Sequence, residues 1–290
     1  MRTHIFMQTI GAADGPTFGG VGLVTLLLAA SPLVLIGLWV GDVIRPASFD
    51  RGGRRELGKL GWWIWLFAAF VLYSATQFGA AGAAALFGAN GGGSRDKAIL
   101  SLGGYLASLI TAAALVRLIL PHAAGGGFCT PRLRDLLAAV ATLALAAPIV
   151  QLASWIAMRV YRSRTGEDPD FLAHDFLRRL TNDRHDPWVW TLIGLAIVAA
   201  PIVEELVFRG FVQSAALRLT GRPWPSIFAT SALFAAIHYT VAPWYAMPAL
   251  FTLSVALGIA FERSRSIAVP IGAHALFNAA NVVIALMLPA

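Results

Sequence analysis

Leu136–Met158 reads LLAAVATLALAAPIVQLASWIAM, twenty-three consecutive residues without a charge. At 1.5 Å per residue, a helix of that length rises about 34 Å, enough to cross the ~30 Å of hydrocarbon in a bilayer. Hydrocarbon offers the backbone no water, so an isolated apolar run closes its own hydrogen bonds as an α-helix. The same signature recurs on both sides. Gly19–Val40, Leu60–Phe87 and Ala98–Leu120 precede it; Trp188–Leu217, Pro225–Thr240, Trp244–Phe261 and Ile267–Leu288 follow. Composition agrees, since 58% of the 290 residues are hydrophobic and 13% charged, against about 25% charged in an ordinary soluble domain. So few charges cannot cover a water-facing surface. The expected fold is all-α, a polytopic membrane helix bundle of about eight transmembrane helices.

The connections support this division. Trp62, Trp63, Trp188, Trp190, Trp244 and Tyr245 fall near run ends, where amphipathic rings anchor at the membrane interface. Gly88–Lys97 and Pro121–Leu133, the latter containing Gly125–Gly127, read as flexible loops. The longest connection, Arg159–Pro187, mixes arginine with aspartate, and its middle, Asp170–Leu180, is expected to lie along the bilayer as an interfacial helix. The first run is expected to be a retained span, being too long for the core of a signal peptide.

The formal charge is +7, but the basic residues sit between apolar runs rather than on one face or arm. That distribution excludes a nucleic-acid partner and fits the bias that orients membrane helices. Arg45, Arg51, Arg54, Arg55, Lys59, Arg132, Arg134, Arg218, Arg222, Arg263 and Arg265 put alternate connections in the cytoplasm and both termini outside; the Arg159–Arg184 cluster opposes that orientation. Cys129 is the single cysteine, so neither an internal disulfide nor a cysteine-based metal finger is available. Twenty arginines against two lysines, with abundant alanine and glycine, point to GC-rich bacterial coding. The expected location is therefore a bacterial inner membrane, as an integral multi-pass protein.

An ionisable side chain deep in a membrane helix costs at least about 2.5 kcal/mol on insertion scales, so each needs a reason. The first four runs are nearly free of such groups, Arg117 lying close enough to an end to reach the interface. The last four hold Glu204, Glu205, Arg209, His238, His274 and Asn278. The chain divides accordingly into residues 1–187, an apolar four-helix scaffold with its loops, and residues 188–290, a chemically equipped core of four helices.

In Pro201-Ile202-Val203-Glu204-Glu205-Leu206-Val207-Phe208-Arg209, the proline predicts a kink or restart of the helix. Glu205 and Arg209 are four apart and can pair on one face. Glu204 points about 100° away and is left free to act as a general base. The alternative is that both carboxylates join one structural ion-pair network. His238 follows Phe234 by four residues, and Asn278 follows His274 by four, with Asn281 continuing that stripe. A lone buried histidine can equally be a packing residue, and asparagine also holds membrane helices together. Taken jointly, two carboxylates, two histidines and an amide on three spans should converge on one cavity, and such a set is what water-dependent acyl cleavage needs.

These stretches resemble the three ordered motifs of the CAAX protease and bacteriocin-processing (CPBP, or Abi) membrane proteases: EExxxR at Glu204, Glu205 and Arg209, FxxxH at Phe234 and His238, and HxxxN at His274 and Asn278. The resemblance covers about Trp188–Leu288. It implies an endopeptidase that hydrolyses peptide bonds of membrane-associated, hydrophobic or lipidated substrates. Glu204 would activate water, His238 would help position it, and His274 and Asn278 would stabilise the tetrahedral oxyanion. Glu205 and Arg209 would hold their helix in register or touch the substrate's end, with Phe234 in support. The family is often called a metalloprotease, and zinc would take Glu204, His238 and His274 as ligands. No HExxH brings those groups together on one helix, and the resemblance to the eukaryotic-type members implies a metal-free glutamate mechanism without a cofactor. Two other classes compete. A transporter or proton relay would place polar residues at paired positions of two repeated halves, and no such pairing is visible. A catalytically silent scaffold would show a broken motif, and none is broken.

Overall fold

We describe the protein from a computed structural model, which defines residues 20–50, 55–123, 128, 131–169 and 185–287. The expected interfacial helix at Asp170–Leu180, the Gly125–Gly127 run and Cys129 lie outside these described residues.

Each apolar run forms a helix: α1 (Gly20–Val40), α2 (Trp62–Phe87), α3 (Ser94–Ile119), α4 (Leu133–Thr165), α5 (Pro187–Thr220), α6 (Pro223–Ile237), α7 (Met247–Ser264) and α8 (Ala268–Met287). No strand occurs among the described residues. Seven of these passes are long and apolar enough to cross a membrane. The exception is α6, whose 15 residues rise about 22 Å, short of the ~30 Å of hydrocarbon. It begins at Pro223, suited to a first helical turn, and gives way to a 3₁₀ turn at His238–Thr240. The surface is that of a lipid-facing bundle, with Leu33, Phe78, Leu86, Leu118 and Leu133 all more than two-thirds exposed.

Side-chain contacts between helix ends collect the basic connections on one face. Arg263 at the end of α7 donates to the carbonyls of Asp42 and Val43 after α1. Trp224 Nε1 at the start of α6 donates to the Arg45 carbonyl. Ser266 Oγ before α8 donates to Asp135 at the start of α4, and Arg55 before α2 pairs with Glu262 near the end of α7. Among the described residues, Arg45, Arg55 and Arg263 of three different connections thus lie on one side of the bundle.

Two apolar clusters position the interior. The larger joins Trp65, Ala68 and Leu72 of α2 to Val203, Phe208 and Phe211 of α5, Phe234 of α6 and Phe261 of α7. The smaller joins Ala139, Ala146 and Val150 of α4 to Leu253 and Leu257 of α7 and Ala273 of α8. The helix α5 lies at the centre of this arrangement, between α2 and α3 on one side and α6, α7 and α8 on the others.

Candidate active site

The local structure of α5 follows from Pro201. The chain does not break there. Instead a π-helical stretch, Leu195–Ala199, precedes a short α-helical segment, Ala200–Glu205, and a second π stretch, Leu206–Val212, follows. The amide of Ala200 donates to Leu195, five residues back. In that register the carbonyl of Ala196 would receive the amide of residue 201, and proline has none. Asn278 of α8 fills the gap, its Nδ2 donating to the Ala196 carbonyl at 2.8 Å. One proline therefore creates the acceptor that ties α8 to α5. Wide helical turns of this kind cluster at functional sites, and here they bracket the two glutamates.

The glutamates have opposite surroundings. Glu205 is fully buried, and its Oε1 accepts from Arg209 Nη1 at 3.0 Å and from His274 Nδ1 at 2.8 Å. Arg209 is equally buried and donates through Nη2 to the Ser254 carbonyl and hydroxyl at 3.1 and 2.8 Å. Its guanidinium also lies 4.9 Å from the centroid of Phe234. Glu204, by contrast, keeps 26% of its side chain exposed and is not in the Arg209 ion pair that holds Glu205. Its Oε2 stands 3.9 Å from Nε2 of His238 and 3.9 Å from Nε2 of His274.

Both imidazoles are oriented by their other nitrogen. His238 Nδ1 lies 2.7 Å from the Phe234 carbonyl; a carbonyl only accepts, so Nδ1 carries the hydrogen. His274 Nδ1 donates to Glu205, whose charge is held by Arg209. A neutral ring with its hydrogen on Nδ1 presents a lone pair at Nε2, and both Nε2 atoms face Glu204. Phe234 fixes the rings from the side, edge-on to His274 at 6.0 Å and tilted against His238 at 4.5 Å.

The three sequence stretches therefore converge. Glu204, His238 and His274 share one small space, Glu205 and Arg209 support it from below, and Phe234 walls it. Asn278 joins α5 through Ala196, with its second amide hydrogen unused by protein among the described residues. Asn281 turns back onto its own helix at the Phe277 carbonyl. Sequence reasoning missed Tyr105 of α3, which packs against the larger apolar cluster and lies within Coulombic range of Glu204. A single tyrosine in an apolar run carries no signal beyond packing.

Residues 186–280 match the family model described as type II CAAX prenyl endopeptidase Rce1-like. This third of the chain is similar to the CAAX prenyl endopeptidase family. Glu204, Glu205, Arg209, Phe234, His238, His274 and Asn278 all lie within the matched residues. Comparison with curated proteins and with solved structures gives no match.

Zinc held by O and N ligands at 2.0–2.1 Å brings tetrahedral ligand atoms to about 3.3 Å from one another. The 3.9 Å separations between Glu204 and the two histidines are wider, and among the described residues no group of three or more His, Cys, Asp or Glu is placed to hold a metal ion. As they stand, Glu204, His238 and His274 are set wider than a bound zinc ion would hold them.

Proposed function

We propose that the protein is a membrane-embedded endopeptidase of the CAAX type, resident in a bacterial inner membrane, that hydrolyses peptide bonds in hydrophobic or lipidated peptide substrates with a water activated by Glu204. The observation carrying this reading is the placement of Glu204 Oε2 at 3.9 Å from both Nε2 atoms. Such a distance is too long for a direct hydrogen bond and suits a bridging water. A water there donates one hydrogen to Glu204 and the other to His238, which leaves an oxygen lone pair free to attack.

The chemistry then runs in two steps. Glu204 takes the water's proton as the oxygen adds to the scissile carbonyl, and the resulting oxyanion needs donors already in place. Asn278 offers the amide hydrogen that Ala196 does not use, while His274, its ring fixed by the Nδ1–H bond to Glu205, turns its Nε2 toward the same space. On collapse, the C–N bond breaks and Glu204 returns its proton to the departing amine. No metal or cofactor takes part in this scheme. The buried Glu205–Arg209 pair leaves Glu204 as the carboxylate available for proton transfer.

The test is cleavage of a hydrophobic peptide by purified protein, wild type against Glu204→Gln. The swap preserves shape and removes the base. Cleavage should fall at least ~10²-fold, the lower end of what general-base removal costs, with the thermal unfolding transition unchanged. Normal cleavage by Glu204→Gln would overturn the assignment of the base. Activity should persist after exhaustive chelation, and stoichiometric zinc in active protein would overturn the metal-free scheme.

A further inference from the structure

Away from the glutamates, a cavity of about 500 Å³ opens at the basic face of the bundle, lined by Arg55, Glu56, Lys59 and Arg218 together with Gly58 and Gly221. Its floor is Arg55, which is buried and committed: Nη2 pairs with Glu262 at 3.1 Å, Nη1 donates to Ser214 at 3.0 Å, and the guanidinium lies 4.2 Å from the Phe261 centroid. The two remaining cations are different. Lys59 and Arg218 are exposed, and neither has an acidic partner among the described residues. Gly58 and Gly221 both take left-handed backbone conformations, at φ 62° and 63°, and leave the mouth free of side chains. Glu56 at the rim is the one uncompensated acid, so the cavity keeps a net charge of about +1.

Its depth is fixed by a separate observation. Trp62 and Trp63, three and four residues beyond Lys59, are 44% and 60% exposed at the start of α2. Tryptophans so placed mark the headgroup level of a bilayer. Arg45 after α1, Arg222 before α6 and Arg263 at the end of α7 add further arginines to the same face. A concave basic site at headgroup depth between membrane helices is the geometry that holds an anionic lipid phosphate. Arginine grips phosphate with two parallel N–H bonds and lysine with a point charge.

We propose that this cavity binds the phosphate headgroup of an anionic membrane lipid, held by Lys59 and Arg218. The site stands apart from the peptidase reading. It joins the buried polar row of α5 and α7 through its floor, because Glu262 also accepts from Gln213 at 2.8 Å, one turn of α5 beyond Arg209.

Full-length protein in neutral detergent, titrated with phosphatidylglycerol, phosphatidylcholine or inorganic phosphate and followed by native mass spectrometry, tests the proposal. Wild type should hold phosphatidylglycerol more tightly than phosphatidylcholine. Lys59→Ala/Arg218→Ala should lose that preference by about 30-fold, from the attraction of two basic side chains to an anionic headgroup. Arg134→Ala/Arg222→Ala, which removes the same charge from the same face outside the cavity, should retain it. All three proteins should melt alike in lipid-free detergent, since none of the four side chains has a charged partner among the described residues. Equal losses in both double variants would reduce the effect to net charge, and an undiminished preference in Lys59→Ala/Arg218→Ala would remove the site; either result overturns the proposal. Inorganic phosphate binding as tightly as phosphatidylglycerol would make the ligand a free anion and overturn the lipid assignment.

Discussion

The α2–α3 and α5–α7 interfaces solve one problem in opposite ways. Lipid gives two apolar helices little reason to associate, so contact depends on close packing or on polar bonds. At α2–α3 the backbones come together over small residues. A Cβ on Gly79 would collide with the Gly103 carbonyl and the Ala107 methyl, and one on Gly104 would come within 2.8 Å of the Thr76 carbonyl. A single polar bond, Thr76 to Ser108 at 2.6 Å, accompanies this contact. At α5–α7 long polar side chains bridge the helices at successive turns: Arg209 to Ser254, Gln213 to Gly258 and Glu262. The first interface stores its strength in shape, the second in hydrogen bonds from charged and polar side chains. Only the second can hold a carboxylate in a fixed state beside a reacting group, which explains why the ionisable residues gather there.

The contrast can be broken at either interface. The largest effect is expected from Arg209→Met, which leaves Glu205 charged and buried without its cation; losses of this kind run to about 3–5 kcal/mol. Unfolding of purified protein in micelles would measure it, and Glu205→Gln added to the same chain should recover part of the loss. Should Arg209→Met prove as stable as wild type, the polar row is not what holds α5 to α7. A smaller cost is expected from Gly79→Val, about 1–3 kcal/mol for forcing bulk into a filled contact, read in the same unfolding measurement. The smallest is Ser108→Ala, near 0.6 kcal/mol, the average for a polar bond between membrane helices. An order reversed between Gly79→Val and Ser108→Ala would mean that the hydrogen bond, rather than the close approach, fixes α2 on α3.

Much of this was legible in the letters. Long uncharged runs have one way to satisfy their backbones in lipid, so Leu136–Met158 and its counterparts declared themselves as helices. Spacing of four placed Glu205 beneath Arg209 and turned Glu204 elsewhere, and the structure has that arrangement. Other features depended on partners that spacing within one helix does not reveal. Gln213 is uncharged and reads as one polar residue near a helix end. Glu262 sits beside Arg263 and Arg265 and looks like an interfacial charge, yet it is buried against Arg55, 207 residues away in sequence. The kink expected at Pro201 took the form of π turns because Asn278 could reach the orphaned carbonyl. The early end of α6 was hidden because Ile237-His238-Tyr239-Thr240 continues the apolar pattern past the last helical turn.

In a bilayer, that early end would shape the lipid around it. The helix α6 starts on the basic face and stops about 8 Å before the hydrocarbon would. A span too short for its host makes the adjacent leaflet dimple inward or admits moisture to the shortened tip. His238 occupies that tip, with Glu204 beside it. Solvent would reach the pair from the side opposite the arginines, and turnover should track the acyl-chain length of the host lipids, falling as the leaflet thickens.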